Sequence, residues 1–101
     1  KAVVTLTEFT VDSNEIDTVQ RQYQLDMERA VRDDAGYKAG YVLRERNAKN
    51  RWYVIQIYSD QEALTKHLNS PGYRFMMSQI QGSLQGVTTI FNHGGQAFVR
   101  P

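Results

Sequence analysis

Cysteine is absent from all 101 residues. That excludes a disulfide framework, a thiolate metal site and a catalytic thiol, and it suits a reducing, cytoplasmic setting. Proline is scarce, with two residues, so the chain stands apart from Pro-rich disordered sequences. No run approaches the roughly 18 to 20 consecutive apolar residues of a membrane span, and no membrane partner is expected. Excess charge of one sign is also missing. Twelve basic side chains face eleven acidic ones, for a net charge of +1, which supplies no uniform field to hold a phosphate backbone and argues against nucleic acid. The two histidines, His67 and His93, lie far apart and lack a chelating helical spacing, so no metal is expected. The only glycine pair, Gly94-Gly95, follows a strand and opens no helix, which excludes a phosphate cradle.

What is present fits one domain spanning 1–101. Lys1-Ala2-Val3-Val4 opens directly into strand-like sequence, the start expected of a mature chain. Val3 to Val11 is rich in Val, Thr, Leu and Phe and reads as a first strand. Asp12-Ser13-Asn14-Glu15 supplies capping residues, after which Ile16, Val19, Tyr23, Met27 and Ala30 recur at three- and four-residue steps, predicting a long amphipathic helix. Gly36 suits the left-handed exit of that helix. Tyr37 to Arg46 and Arg51 to Tyr58 predict a hairpin about the polar tetrapeptide Asn47-Ala48-Lys49-Asn50, whose surrounding charges suit a solvated turn. Ser59-Asp60-Gln61-Glu62 fits a capping box with Ser59 as the cap. Ser70 before Pro71 is a second start signal, which breaks the second helix in two. Leu84 to Asn92 predicts a fourth strand, and Gly94–Pro101 a turn and short extended tail.

The order β-α-β-β-α-β predicts an α+β, ferredoxin-like fold with a four-stranded antiparallel sheet and helices on one face. In the third strand Trp52, Val54, Gln56 and Tyr58 point one way and Tyr53, Ile55 and Ile57 the other. Helices cover one face only, so the second apolar face calls for a partner. A homodimer with the Tyr53, Ile55, Ile57 faces together satisfies that need, with added contact from Leu25 and a clasp from the C-terminal tail.

The helix-facing side gathers a candidate site. Trp52, Gln56 and Tyr58 come from the third strand, Tyr41 from the second, and Tyr23, His67, Tyr73 and Met77 from the helices. Aromatic walls with a few polar groups suit a flat phenolic or quinonoid ligand. His67 is of the residue type that takes a proton from a phenol and returns it. Gln56, polar among inward-pointing residues, needs a partner in a ligand, a water or Tyr41. The bland alternative is that the aromatics fill a small core, the methionines fill gaps, and His67 bonds carbonyls at a helix end.

Several segments together resemble the antibiotic biosynthesis monooxygenase-like family. They are Val3 to Val11 running into Asp12-Ser13, the Ala35-Gly36-Tyr37 helix exit, and Tyr58-Ser59-Asp60-Gln61-Glu62-Ala63-Leu64 followed by His67 and Ser70. The likeness covers nearly the whole chain and implies a dimeric α+β barrel with a pocket between sheet and helices. Branches of that family include cofactor-free oxygenases of quinols and anthrones, quinone-forming enzymes and haem-degrading enzymes. The haem branch does not carry over: its strand asparagine is replaced by Phe9, its helix tryptophan by His67 and its axial histidine by Met77. Of the polyketide-oxidising branch, Tyr58 keeps the aromatic strand end, while Val54 replaces a polar strand residue and Leu64 a helix tyrosine.

The resemblance implies a monooxygenase that needs no cofactor and converts a quinol, anthrone or polyphenol to a quinone-type product. In this scheme His67 or a water takes the phenolic proton. Tyr58 and Gln56 orient oxygen substituents, and Trp52 with Tyr41 walls the ring. The rival expectation is a non-catalytic dimer that binds a small aromatic molecule, and a third is an interaction module whose own side chains fill the cavity.

Overall fold

The structure, a computed structural model, describes residues 1–91 and Arg100. Along the chain run β1 (Val3–Val11), α1 (Ile16–Asp33), β2 (Tyr37–Arg44), β3 (Arg51–Tyr58), α2 (Gln61–Leu68), α3 (Pro71–Ile80), a 3₁₀ turn (Gln81–Ser83) and β4 (Leu84–Phe91). The strands form one sheet in the order β2-β3-β1-β4, with all neighbours antiparallel. This is the ferredoxin-like α+β arrangement, its second helix broken in two. No described helix is long and apolar enough to cross a membrane. Asn92, His93 and the tail expected to clasp a partner lie, Arg100 apart, outside the described residues.

Local chemistry sets the boundaries. Gly36 takes φ +83° after α1, a conformation that costs an L side chain about 1–2 kcal/mol. A Cβ there would stand 2.6 Å from the Ala63 Cβ. Ser70 caps α3 by accepting the Tyr73 amide at 3.2 Å, with Pro71 at its start, where the missing N–H breaks no helical bond. The cap of α2 differs from the expected one. Asp60, not Ser59, accepts the Ala63 amide at 2.8 Å, because the Ser59 amide donates to the Gly36 carbonyl at 2.7 Å and keeps Ser59 in line with the strands. Glu62 pairs with Lys66 instead of reaching back. Before α1, Asp12 accepts the Asn14 amide in a turn, and the residue that caps the helix, Glu15, makes no side-chain cap bond. β2 ends at Arg44, two residues short of expectation, as the Glu45 and Arg51 amides close the hairpin.

Strand parity divides the sheet. Trp52, Val54, Gln56 and Tyr58 are buried beneath the helices, opposite Phe9, Thr7, Thr5 and Val3. β2 keeps step with β3 only after a bulge. Tyr37 pairs with Tyr58, yet Ala39 pairs with Ile57, so Lys38 is an extra residue. A one-residue slip flips every later side chain. Tyr41 therefore pairs with Ile55 on the outer face and is 53% exposed, which corrects its expected place beside Gln56.

Beneath the helices the main core joins Phe9, Val11, Val19, Tyr23, Trp52, Val54, Met76 and Ile80. A second cluster at the other end of the sheet joins Ala30, Tyr37, Tyr58, Ala63 and Leu64. The outer face carries Leu6, Tyr53, Ile55 and Ile57 with exposed Tyr41, Leu43 and Ile90.

Gly36→Ala should lower stability by about 2 kcal/mol or more, the sum of left-handed backbone strain and crowding against Ser59 and Ala63. Urea unfolding checks this. A change below about 0.5 kcal/mol, the scale of an inconsequential surface substitution, would show that the helix exit does not require glycine.

Candidate ligand cavity and the ion cluster behind it

The sheet's inner face changes character from β3 toward β4. Large side chains such as Trp52 and Phe9 fill the main core, whereas Thr5, Thr7 and Thr89 are short, and β4 is exposed over nearly all its length. A cavity of about 160 Å³ results. Thr5 and Thr7 of β1, Gln56 and Tyr58 of β3, and Thr89 and Phe91 of β4 form its floor, while Leu64 and Leu68 of α2 and Tyr73 of α3 form its roof. None of these described lining side chains carries a charge at neutral pH.

Two polar groups stand out. The Tyr37 hydroxyl donates to Gln56 Oε1 at 2.8 Å, which leaves the Gln56 NH2 as the free end of the amide. Tyr58 is fully buried, and its hydroxyl has no hydrogen-bond partner among the described residues. The hydroxyl is sealed from the cavity as well as from solvent, and an unsatisfied buried hydroxyl costs roughly 1–3 kcal/mol. Burial, followed by nearby Tyr37, Tyr73 and the carboxylates Asp26 and Asp34, pushes the Tyr58 pKa well above its ordinary value. Burial and Asp26 likewise raise that of Tyr73. Both phenols keep their protons.

His67 lies behind the cavity. It is fully buried, and its imidazole stands 5.1 Å from the rings of Tyr37 and Tyr73 and 5.6 Å from Tyr58. His67 Nδ1 donates to Asp34 Oδ2 at 2.8 Å, since an ionised carboxylate can only accept. Its Nε2 is unpaired among the described residues and faces Asp26 Oδ2 at 3.8 Å. Arg29 bridges the two acids, with Nη2 2.9 Å from Asp26 Oδ1 and Nη1 2.8 Å from Asp34 Oδ1, and it also reaches Ser70 Oγ at 3.2 Å. Burial works to raise the Asp34 pKa, but hydrogen bonds from Arg29 and His67 outweigh it and hold the carboxyl below the usual range.

Of the residues expected at the site, Gln56, Tyr58 and Tyr73 meet at the cavity. His67 touches the cavity's tyrosines from behind and is not among the lining residues. Trp52 and Tyr23 belong to the main core around Phe9, with Met77 packed against it. Tyr41 is on the opposite face of the sheet. Sequence reasoning missed Thr5, Thr7, Leu64, Leu68, Thr89 and Phe91. The alternation that faces Thr5 and Thr7 inward was available in β1, though not the void they leave. It also missed Asp26, whose place between Tyr23 and Ala30 on the apolar stripe was the signal for a buried charge.

The sign of the pH dependence follows from Asp34. Its folded pKa lies below the ordinary 3.8, so the cluster's contribution is complete above about pH 5 and is lost as pH falls through 3.8 toward the folded value. Asp34→Asn should be less stable at neutral pH and should show a flatter loss of stability below about pH 4. Urea midpoints measured from pH 7 to 2 check this, and parallel acid limbs for the two proteins would remove Asp34 from the account.

The family model described as antibiotic biosynthesis monooxygenase matches residues 2–79. Among solved structures, a protein from Bacteroides thetaiotaomicron superposes with a TM-score of 0.90 at 17% identity, over 100% of this chain and 96% of its own. Rv0793 from Mycobacterium tuberculosis gives 0.84 at 14% identity, over 96% and 98%. SnoaB, a cofactor-independent oxygenase from Streptomyces nogalater, gives 0.77 at 21% identity, over 98% of both chains. At such identities the likeness is one of fold. A comparison with curated protein sequences returns no match. Since residues 2–79 are most of the 101, the chain belongs to the antibiotic biosynthesis monooxygenase family.

Proposed function

We propose that this chain is a cofactor-independent monooxygenase of a small electron-rich aromatic, a quinol, anthrone or polyphenol, and that it forms a quinone-type product. The observation that carries the reading is an uncharged cavity lined by Gln56, whose NH2 is free to donate, together with Tyr73 and Phe91. Such donors stabilise the oxyanion that forms when a phenol or enol loses its proton. The electron-rich anion transfers an electron to dioxygen, and the resulting radical pair joins as a peroxide. Loss of water then leaves the carbonyl. One oxygen atom enters the product, the other leaves as water, and the substrate supplies both electrons.

In this scheme the Gln56 amide holds the substrate oxygen above the buried Tyr58 ring, while Tyr73 and Phe91 wall the ligand. His67 is a positioning residue, because it touches Tyr58 and Tyr73 and does not line the cavity. The lining includes no carboxylate, amine or imidazole, so the proton passes to water at the mouth beside Leu68 and Phe91, both partly exposed. The second reading, a binding protein without chemistry, draws on the same cavity.

Two copies pairing through their outer sheet faces would cover Tyr53, Ile55 and Ile57. Support comes from the apolar outer face, where exposed Tyr41, Leu43 and Ile90 group on one side of the sheet, the kind of grouping that marks interaction sites.

Oxygen-electrode assays over a panel from hydroquinone to dithranol test the reaction. The wild-type protein should consume one dioxygen per substrate and place one labelled atom from ¹⁸O₂ in the product. Gln56→Leu should lower kcat/KM by roughly tenfold to a hundredfold, the scale for losing one oxyanion donor. Ligand binding without oxygen uptake would instead favour the binding protein. For the assembly, sedimentation velocity should give twice the 11.6 kDa chain mass, with Ile55→Asp a folded monomer. A wild-type monomer would leave the outer face without its proposed partner.

A further inference from the structure

We infer that the groove between α1 and α3 binds a small apolar primary amine as its ammonium ion, with N–H groups on Asp26 Oδ2 and the carbon body against Leu25, Phe75 and Met76. The groove shares no lining residue with the cavity at the sheet, so this inference goes beyond the oxygenase reading and stands or falls without it.

The walls are apolar. Leu25 of α1 and Phe75 of α3 are exposed, one on each helix, and with Met76 they flank a groove of about 140 Å³. That is close to the roughly 150 Å³ that holds a benzene molecule. The floor differs from the walls, because it is Asp26. Its side chain is 3% exposed, and its two oxygens are unequal. Oδ1 accepts Arg29 Nε at 3.1 Å and Nη2 at 2.9 Å. Oδ2 accepts no hydrogen bond among the described residues, since His67 Nε2 at 3.8 Å is beyond hydrogen-bond reach. Among those residues the buried atoms both unpaired and sealed are Tyr58 Oη and His67 Nε2. Oδ2 is not one of them, so it keeps an opening, and the groove is where Asp26 meets the exterior.

Charge and hydrogen-bond direction select the occupant. Arg29 has no donor to spare for an anion, because Asp26, Asp34 and Ser70 engage all three of its nitrogens. It cannot swing out either: α3 lies so close that a Cβ at Gly72 would overlap Arg29 Nε. The two carboxylates, Asp26 and Asp34, meet this one guanidinium, which leaves one negative charge in excess while the imidazole is neutral. A carboxylate oxygen only accepts, so the ligand must donate, and a cation supplies the missing charge as well. An ammonium on a short hydrocarbon body meets both conditions and covers the exposed Leu25 and Phe75.

The probe is 4-fluorobenzylamine at neutral pH, followed by ¹⁹F NMR and displaced by competitors. Butylamine should displace it at concentrations at least about tenfold lower than butanol or butyrate require, the scale of one charge-assisted hydrogen bond. It should outdo methylamine by at least about tenfold, because three further CH2 groups leave water. Phe75→Ala, which removes a wall, and Leu25→Lys, which sets a tethered ammonium at the rim, should each weaken the probe about tenfold. Both positions are exposed, and circular dichroism checks that the fold is kept. Thr89→Phe, which fills the cavity at the sheet instead, should leave the probe within about twofold of the wild type. The inference is overturned if 4-fluorobenzylamine fails to bind, if butanol, butyrate or methylamine matches butylamine, if neither Phe75→Ala nor Leu25→Lys weakens the probe, or if Thr89→Phe weakens it as much as they do.

Discussion

Everything around the cavity depends on one buried ion cluster. Asp26 and Arg29 come from α1, Asp34 from just beyond its end, His67 from the last turn of α2, and Ser70 from the cap of α3. Charges removed from water cost several kcal/mol each unless they are paired, so every segment that contributes one is held where the others need it. Arg29 carries most of this geometry, because its planar fork meets both carboxylates and the Ser70 hydroxyl together. Ser70 in turn donates to the His67 carbonyl at 2.7 Å while it accepts the Tyr73 amide. The break between α2 and α3 is thus fastened from both sides to the end of α1.

That fastening places the cavity's phenols. Tyr73 follows the capped break by one turn, and Tyr58 ends the strand beneath it, with the His67 imidazole between them. Beyond burial, Tyr58 owes part of its reluctance to ionise to Asp26 and Asp34, and Tyr73 part of its own to Asp26. The cluster therefore acts on these phenols twice, by steric placement and by helping to keep them protonated. His67 works from behind this wall, a more restricted role than a histidine open to substrate would have.

The fold was legible in the sequence where local chemistry decided the outcome. Alternation in β3, the three-four spacing of α1, Gly36 at its exit and Ser70-Pro71 at the second break are signals that act within a few residues, and the structure keeps each of them. What was not legible depended on distant partners. Asp60 displaced Ser59 as a cap because Gly36, far away in the chain, holds the Ser59 amide. Gln56 was recognised as needing a partner, but its partner is Tyr37 and not Tyr41, because the bulge at Lys38 reverses the parity of β2. The cavity was the least legible feature. A void is made by what is missing between elements, and no single segment records it.

The same bulge helps to explain the polarity of the site. By inserting Lys38, β2 brings Gly40, and not Ala39, to the inner face directly opposite Gln56. A Cβ at Gly40 would meet the Tyr37 hydroxyl itself and stand 3.0 Å from Met27 Cε. With hydrogen there, the Tyr37 side chain lies across the gap and reaches Gln56 Oε1. That bond turns the amide so that its NH2 is the end left over. Without the bulge, Ala39 would occupy this position and its methyl would crowd the path of the hydroxyl, while Tyr41 would point inward with a second phenol competing for Gln56. One extra residue in an edge strand thereby sends an aromatic side chain to the outer face and orients the amide on the inner face. The orientation of the Gln56 amide is therefore set by backbone register as much as by the residues that line the cavity.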